Sequence, residues 1–164
     1  MSAKTVLCRC GAFALAALVL TLPALTAREK CGDKKKVRVS VVVILATERD
    51  DKVHPKLKCI AEEVKKVHPR LTGFHMKTVG CQSVAVDEPG EFRLVDDQVA
   101  RITVQRAADA RGRVQLKVVP PQMGEITYST PCGKFLPIVT RYRTRKGDLL
   151  IIAVRVQPCP GQKK

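Results

Sequence analysis

The chain contains no asparagine and no tryptophan, and its aromatics amount to two tyrosines and four phenylalanines. Single-stranded nucleic acid is held by aromatic rings interleaved with basic residues, and here Phe92, Tyr128, Phe135 and Tyr142 are too few and too scattered to form such a platform. Without asparagine there is no Cys-His-Asn arrangement for thiol catalysis. Ser40, Ser83 and Ser129 all lack the glycine framing of a Gly-x-Ser-x-Gly nucleophile turn. A phosphate-cradling glycine loop and a helix with paired histidines are missing as well. Hydrolytic and thiol enzymes are therefore disfavoured, and neither an enzymatic activity nor a cofactor is expected.

Long apolar runs are also scarce. The stretch from Ala12 to Leu22 supplies about 11 residues where a spanning helix needs about 20, and Val37 to Ala46 is both short and interrupted by Arg38. The first run follows Lys4 and Arg9 and precedes Pro23 to Ala27, the order of basic, apolar and small-residue regions in an export signal. Residues 1–27 are read as a signal peptide cut after Ala27, although Leu25 stands where a small residue is preferred. The expected location is periplasmic or secreted, with no membrane span left in the mature chain once the signal is removed.

Acidic residues are outnumbered. Removing Lys4 and Arg9 from the 30 basic residues leaves 28 against 15 acidic ones, a net charge of +13 on the mature chain. Such a surface draws anionic partners by long-range attraction. Export disfavours nucleic acid as that partner and favours an envelope protein, an acidic polysaccharide or phosphate-bearing lipid headgroups.

Seven cysteines are present, of which Cys31, Cys59, Cys81, Cys132 and Cys159 follow the signal. An oxidising compartment permits disulfides, and an odd number leaves one thiol over. Cys31 with Cys159 would tie the two ends of the folded body, and Cys81 with Cys132 is a second candidate pairing; spacing alone does not decide between connectivities. His54, Cys59, His68, His75 and Cys81 fall close together, but there is no Cys-x-x-Cys, and His54 and Cys59 are five apart rather than four. No metal site is expected from them.

What is abundant is β-forming residue alternation. After a charged lead-in over residues 28–36, Val37 to Leu45 is rich in β-branched residues and apolar on both faces near its middle, the signature of a buried strand. Pro55 suits the first position of a helix, and Leu57, Ile60, Val64, Val67 and Leu71 recur at helical spacing, ending near His68. Extended character resumes from Leu71 to Val79, so the opening reads as β-α-β with two strands able to lie parallel across a right-handed crossover. The remainder reads as strands and turns: Gln82–Val86, Glu91–Val95, a hairpin of Ala100–Val104 and Val114–Val118, Glu125–Thr130, Phe135–Tyr142 with an edge-marking Pro137, and Leu150–Val156. The expected architecture is a single α+β domain over residues 37–157, a mostly antiparallel sheet or sandwich with one packed helix, followed by a polar tail over 158–164.

The basic run Thr140 to Gly147 is the sharpest local feature. In an extended chain Arg141, Arg143 and Arg145 project from one side, with Lys146 beside them, a row of forked donors suited to phosphate or carboxylate. The bland alternative is a charged hairpin end that guards an edge strand. The segments Phe92 to Gln98, Gly124 to Tyr128 and Cys132 to Thr140 resemble short exported bacterial proteins built from a signal, one helix and a β-rich body. That resemblance implies the architecture and carries over no activity and no functional residue. The expected function is a non-enzymatic envelope module, binding or accessory, with an anion-binding module acting through Arg141, Arg143, Arg145 and Lys146 as the alternative.

Overall fold

A computed structural model describes residues 35–158. The proposed signal, Cys31, Cys159 and the rest of the tail lie outside the described residues. Strand β1 runs over Lys36–Thr47 and is followed by a single 3₁₀ turn at Pro55–Leu57 and helix α1 at Lys58–Val67. Then come β2 (Gly73–Ala85), β3 (Pro89–Arg93), β4 (Val99–Arg106), β5 (Arg113–Val119), β6 (Ile126–Pro131), β7 (Phe135–Arg143) and β8 (Leu149–Pro158).

The strands form two four-stranded antiparallel sheets, ordered β2-β1-β8-β7 and β3-β4-β5-β6. Their facing sides share one core, in which Val39, Val41 and Val43 of β1 and Ile152 and Val154 of β8 pack with Ile102 and Val104 of β4 and Leu116 and Val118 of β5. The fold is thus a β-sandwich, with α1 laid on the outer face of the first sheet. The intervening residues of β1 and β8 point to that outer face, where Val42, Ile44, Ala46, Ile151 and Ala153 meet Leu57, Ile60, Ala61 and Val64. Val67, although in register with this stripe, is 73% exposed.

The opening departs from the parallel β-α-β expectation. β1 and β2 are antiparallel neighbours, in register from Lys36↔Ala85 to Thr47↔Gly73 with one bulge after Val43. The reason is length. A 10-residue helix spans about 15 Å, whereas the 12 residues of β1 cover roughly 40 Å, so α1 does not retrace the strand. The chain instead returns where it left: the Thr72 amide donates to the Thr47 carbonyl at 3.0 Å and the Phe74 amide to the Lys52 carbonyl at 2.8 Å.

Residues 86–88 carry the chain from the first sheet to the second, so β2 and β3 are not a hairpin pair. Pro137 lies on β7, an edge strand, which tolerates its missing amide donor. At the far end of β7 the chain reverses through Thr144–Gly147, where the Gly147 amide donates to the Thr144 carbonyl at 2.8 Å and Gly147 takes φ +82°, a left-handed conformation that suits glycine.

Candidate functional site

Arg141 and Arg143 are exposed on the last residues of β7, preserving the alternation read from the sequence. Arg145 and Lys146 lie beyond the strand, in the turn, and are exposed there. The Arg143 guanidinium donates from Nη1 to the Gly147 carbonyl at 2.9 Å, bracing the turn it precedes. Tyr142, between the two strand arginines, points the other way and donates its hydroxyl to Asp96 Oδ2 at 2.9 Å. That bond, to a negatively charged acceptor, raises the phenol pKa. Asp96 and Asp97 form the β3–β4 turn, both at left-handed φ, so an acidic corner of the second sheet abuts the basic corner of the first. Next to the turn, Asp148 pairs with Arg49.

What the sequence did not bring together is the segment after α1. His68, Pro69 and Arg70 turn away from the helix end and, with Glu48, Val67, Leu71, Leu149 and Arg143, line a groove of about 430 Å³. Arg70 and Arg143, from distant parts of the chain, therefore line one concavity, and Glu48 is the acidic residue among its lining. The volume is within the range that accommodates a small ligand or headgroup. The only sequence signal for Arg70 was a basic residue just past a helix that ends before proline, which is too common to single it out.

The thiols fall into different environments. Cys59 is exposed on α1. Cys81 is exposed on β2, opposite Ser40 of β1, which in turn stands opposite Arg155 of β8. These three residues cross the outer face of the first sheet beside the part that α1 covers. Arg38 donates from Nε to Cys81 Sγ at 3.0 Å, and Ser40 Oγ lies 3.5 Å from the sulfur. The Arg38 bond, helped by Ser40 and by the positive charge of Arg38 and Arg155, outweighs desolvation and lowers the thiol pKa. Arg155 itself stacks over the Phe135 ring at 4.7 Å.

Cys132 follows β6, half-buried against the core between the sheets, and its pKa is raised by burial and by the negative charge of Asp109. Cys81 and Cys132, considered above as a pair, are both free thiols and no disulfide joins them here. The sheet itself separates them: one sulfur projects from the outer face of the first sheet, the other packs at the inner side. Among the described residues no group of three or more His, Cys, Asp or Glu is gathered as a metal-ligand cluster. No helix among them is long and apolar enough to cross a membrane. No protein-family model matches this chain, and neither a curated protein nor a solved structure is found to be similar to it.

Proposed function

We propose that this protein is an exported, non-enzymatic binding module whose ligand carries phosphate or carboxylate groups, taken at the basic corner formed by Arg141, Arg143, Arg145 and Lys146 together with Arg70. The observation that carries this reading is the shared groove, in which Arg143 from β7 and Arg70 from the loop after α1 border the same concavity. The excess of basic over acidic residues supports it by steering anions toward the surface, and exposed arginines supply paired donors for an oxyanion. An envelope location fits the N-terminal pattern and makes acidic polymers and lipid headgroups the natural sources of such groups. Accessory docking to an envelope protein is the second reading, favoured by the exposed Val67 in the same groove.

Titration with vesicles rich in an anionic phospholipid, and in parallel with a sulfated polysaccharide, tests the proposal. The double variant Arg70→Ser, Arg143→Ser is expected to weaken binding to one of these by about tenfold or more, equivalent to about 1.4 kcal/mol. A charge-matched control at the other end of the sandwich, Arg106→Ser with Arg111→Ser, should weaken it far less. Equal losses in the two variants would reduce the effect to net charge and defeat the groove. Binding that withstands high salt would point instead to apolar docking.

A further inference from the structure

Each sheet has two edge strands, β2 and β7 in the first and β3 and β6 in the second. An edge presents unpaired backbone donors and acceptors, which proteins blunt with proline, with charge or by keeping the strand short. Pro137 interrupts β7, Pro131 ends β6, and β3 has five residues and starts at Pro89. The fourth edge is guarded least. β2, at 13 residues the longest of them, holds no proline, and Lys77 is its single lysine, arginine or carboxylate.

Hydrogen bonding shows where that edge stays open. At its start the chain covers it, with the Phe74 amide donating to the Lys52 carbonyl at 2.8 Å and the His54 amide to the Phe74 carbonyl at 3.0 Å. Past its other end the Val86 amide donates to the Lys35 carbonyl at 3.1 Å, which sets the phase of the β1–β2 ladder. Bonded and unbonded pairs alternate along an antiparallel ladder, so Val39↔Gln82, Val41↔Gly80 and Val43↔Thr78 are the bonded pairs. Val79, Cys81 and Ser83 therefore turn their backbone amides and carbonyls away from β1. The 3.5 Å approach of Ser40 Oγ to Cys81 Sγ fits this phase, since unbonded pairs stand closer. Val79 is also 57% exposed, an unusual position for a large apolar side chain in this fold.

We propose that the stretch 77–83 of β2 is a self-association surface, on which a second copy of the chain adds its own β2 antiparallel and the two four-stranded sheets become one of eight. A two-fold axis at Gly80 sets Val79 opposite Cys81, Thr78 opposite Gln82 and Lys77 opposite Ser83 of the other copy. Val79 and Cys81 then exchange the backbone bonds that face the open edge, and Gly80 stands at the axis in an unbonded pair, where backbones come closest. Charge selects the occupant. Lys77 is the only charged residue in the stretch, so self-pairing sets no like charges opposite each other, whereas an acidic peptide would find one cation to answer it.

Sedimentation velocity of the purified full chain over a concentration series, at low and high salt, tests the proposal. A monomer–dimer equilibrium is expected, with more dimer at high salt, because two chains of net charge +15 repel until screened. Val79→Pro removes an amide that faces the open edge and no bond to β1, so it should abolish the dimer while the circular dichroism and thermal midpoint of the monomer stay as in the parent. Val79→Lys brings an ammonium group to either side of the axis and should weaken the dimer by about tenfold or more, whereas Val99→Lys, at an exposed valine of the second sheet, should leave it unchanged. A short bis-maleimide should link Cys81 to Cys81 of the other copy as the dominant intermolecular product. A monomer at every concentration and salt, a dimer that survives both Val79 variants or weakens equally in Val99→Lys, or dominance of another linked pair overturns the assignment.

Discussion

The two sheets share one interior and differ in what lies behind them. In the first sheet, β1 is buried without interruption from Val39 to Thr47 and β8 from Leu149 to Val156 apart from the half-buried Arg155. In the second, β4 and β5 alternate: Ala100, Ile102 and Val104, then Val114, Leu116 and Val118 are buried, while Arg101, Thr103, Gln115 and Lys117 between them face outward. Both patterns satisfy the same core. The difference is α1, which covers one sheet on its outer side and leaves the other to solvent. A single ten-residue helix with Leu57, Ile60, Ala61 and Val64 turned inward thus decides whether a neighbouring strand must be apolar at every position or at every second one.

The largest test of that contrast places a charge on each outer face. Ile151→Asp puts an unpaired carboxylate between β8 and α1, in a layer where Val42, Ile44, Leu57 and Val64 offer it no partner. Destabilisation of at least about 4 kcal/mol, or loss of cooperative unfolding, is expected in chemical denaturation. Thr103→Asp on the outer face of the second sheet should cost less than about 1 kcal/mol, since the side chain stays in reach of water and of Arg101 on the same strand face. Comparable costs would mean that the two outer faces are not distinguished by the helix.

Much of this was legible in the residues. The unbroken apolar runs of Val41–Ala46 and Leu149–Val154 announced strands covered on both faces, and the alternation of Ala100–Val104 and Val114–Val118 announced strands covered on one. Periodicity reports which side of an element is buried, not which element buries it. Hence the direction of β2 was misread: the spacing Leu57–Ile60–Val64 is the same whether α1 crosses the sheet or folds back beside β1. The groove was out of reach for a similar reason, because Arg70 and Arg143 come to line one concavity only through the packing of α1 on the first sheet. Arg145 was aligned with Arg141 and Arg143 by assuming an extended chain, and Gly147, which turns the chain, was the residue that marked where alternation had to stop.

Hydroxyl groups sharpen the comparison at a smaller scale. In the first sheet Thr140 is buried, donates from Oγ1 to the Leu150 carbonyl at 2.8 Å and lies 3.2 Å from the Tyr142 amide that donates to it. In the second, the Tyr128 hydroxyl is buried without a hydrogen-bond partner, and desolvation pushes its pKa up. Removing a paired group strands its partners, whereas removing an unpaired one strands nothing. Thr140→Val should therefore cost about 1–2 kcal/mol in denaturant unfolding, and Tyr128→Phe should be neutral or stabilising by up to about 1 kcal/mol. A loss on Tyr128→Phe as large as that on Thr140→Val would show that the phenol hydroxyl has a partner after all.

The smallest expected effect concerns the stretch of the first sheet's outer face beside the helix-covered part. There Arg155, Ser40 and Cys81 stand side by side on β8, β1 and β2, with Arg38 reaching the sulfur. A thiolate is the reactive form of cysteine, and a donor held on sulfur favours it. Because the lowered pKa enlarges the thiolate fraction at any pH below it, Cys81 is expected to react with iodoacetamide several-fold faster than Cys132 at neutral pH, where burial holds the latter protonated. Mass spectrometry of timed digests follows each thiol in the same sample. Arg38→Gln removes the principal donor and its charge, so the midpoint of the Cys81 pH–rate profile should move upward while the rate at Cys132 stays as it was. Ser40→Ala, which removes the weaker contact at 3.5 Å, should move it less. An unchanged profile in Arg38→Gln would mean that exposure alone, and not the arginine beside it, governs the thiol on the uncovered part of the sheet.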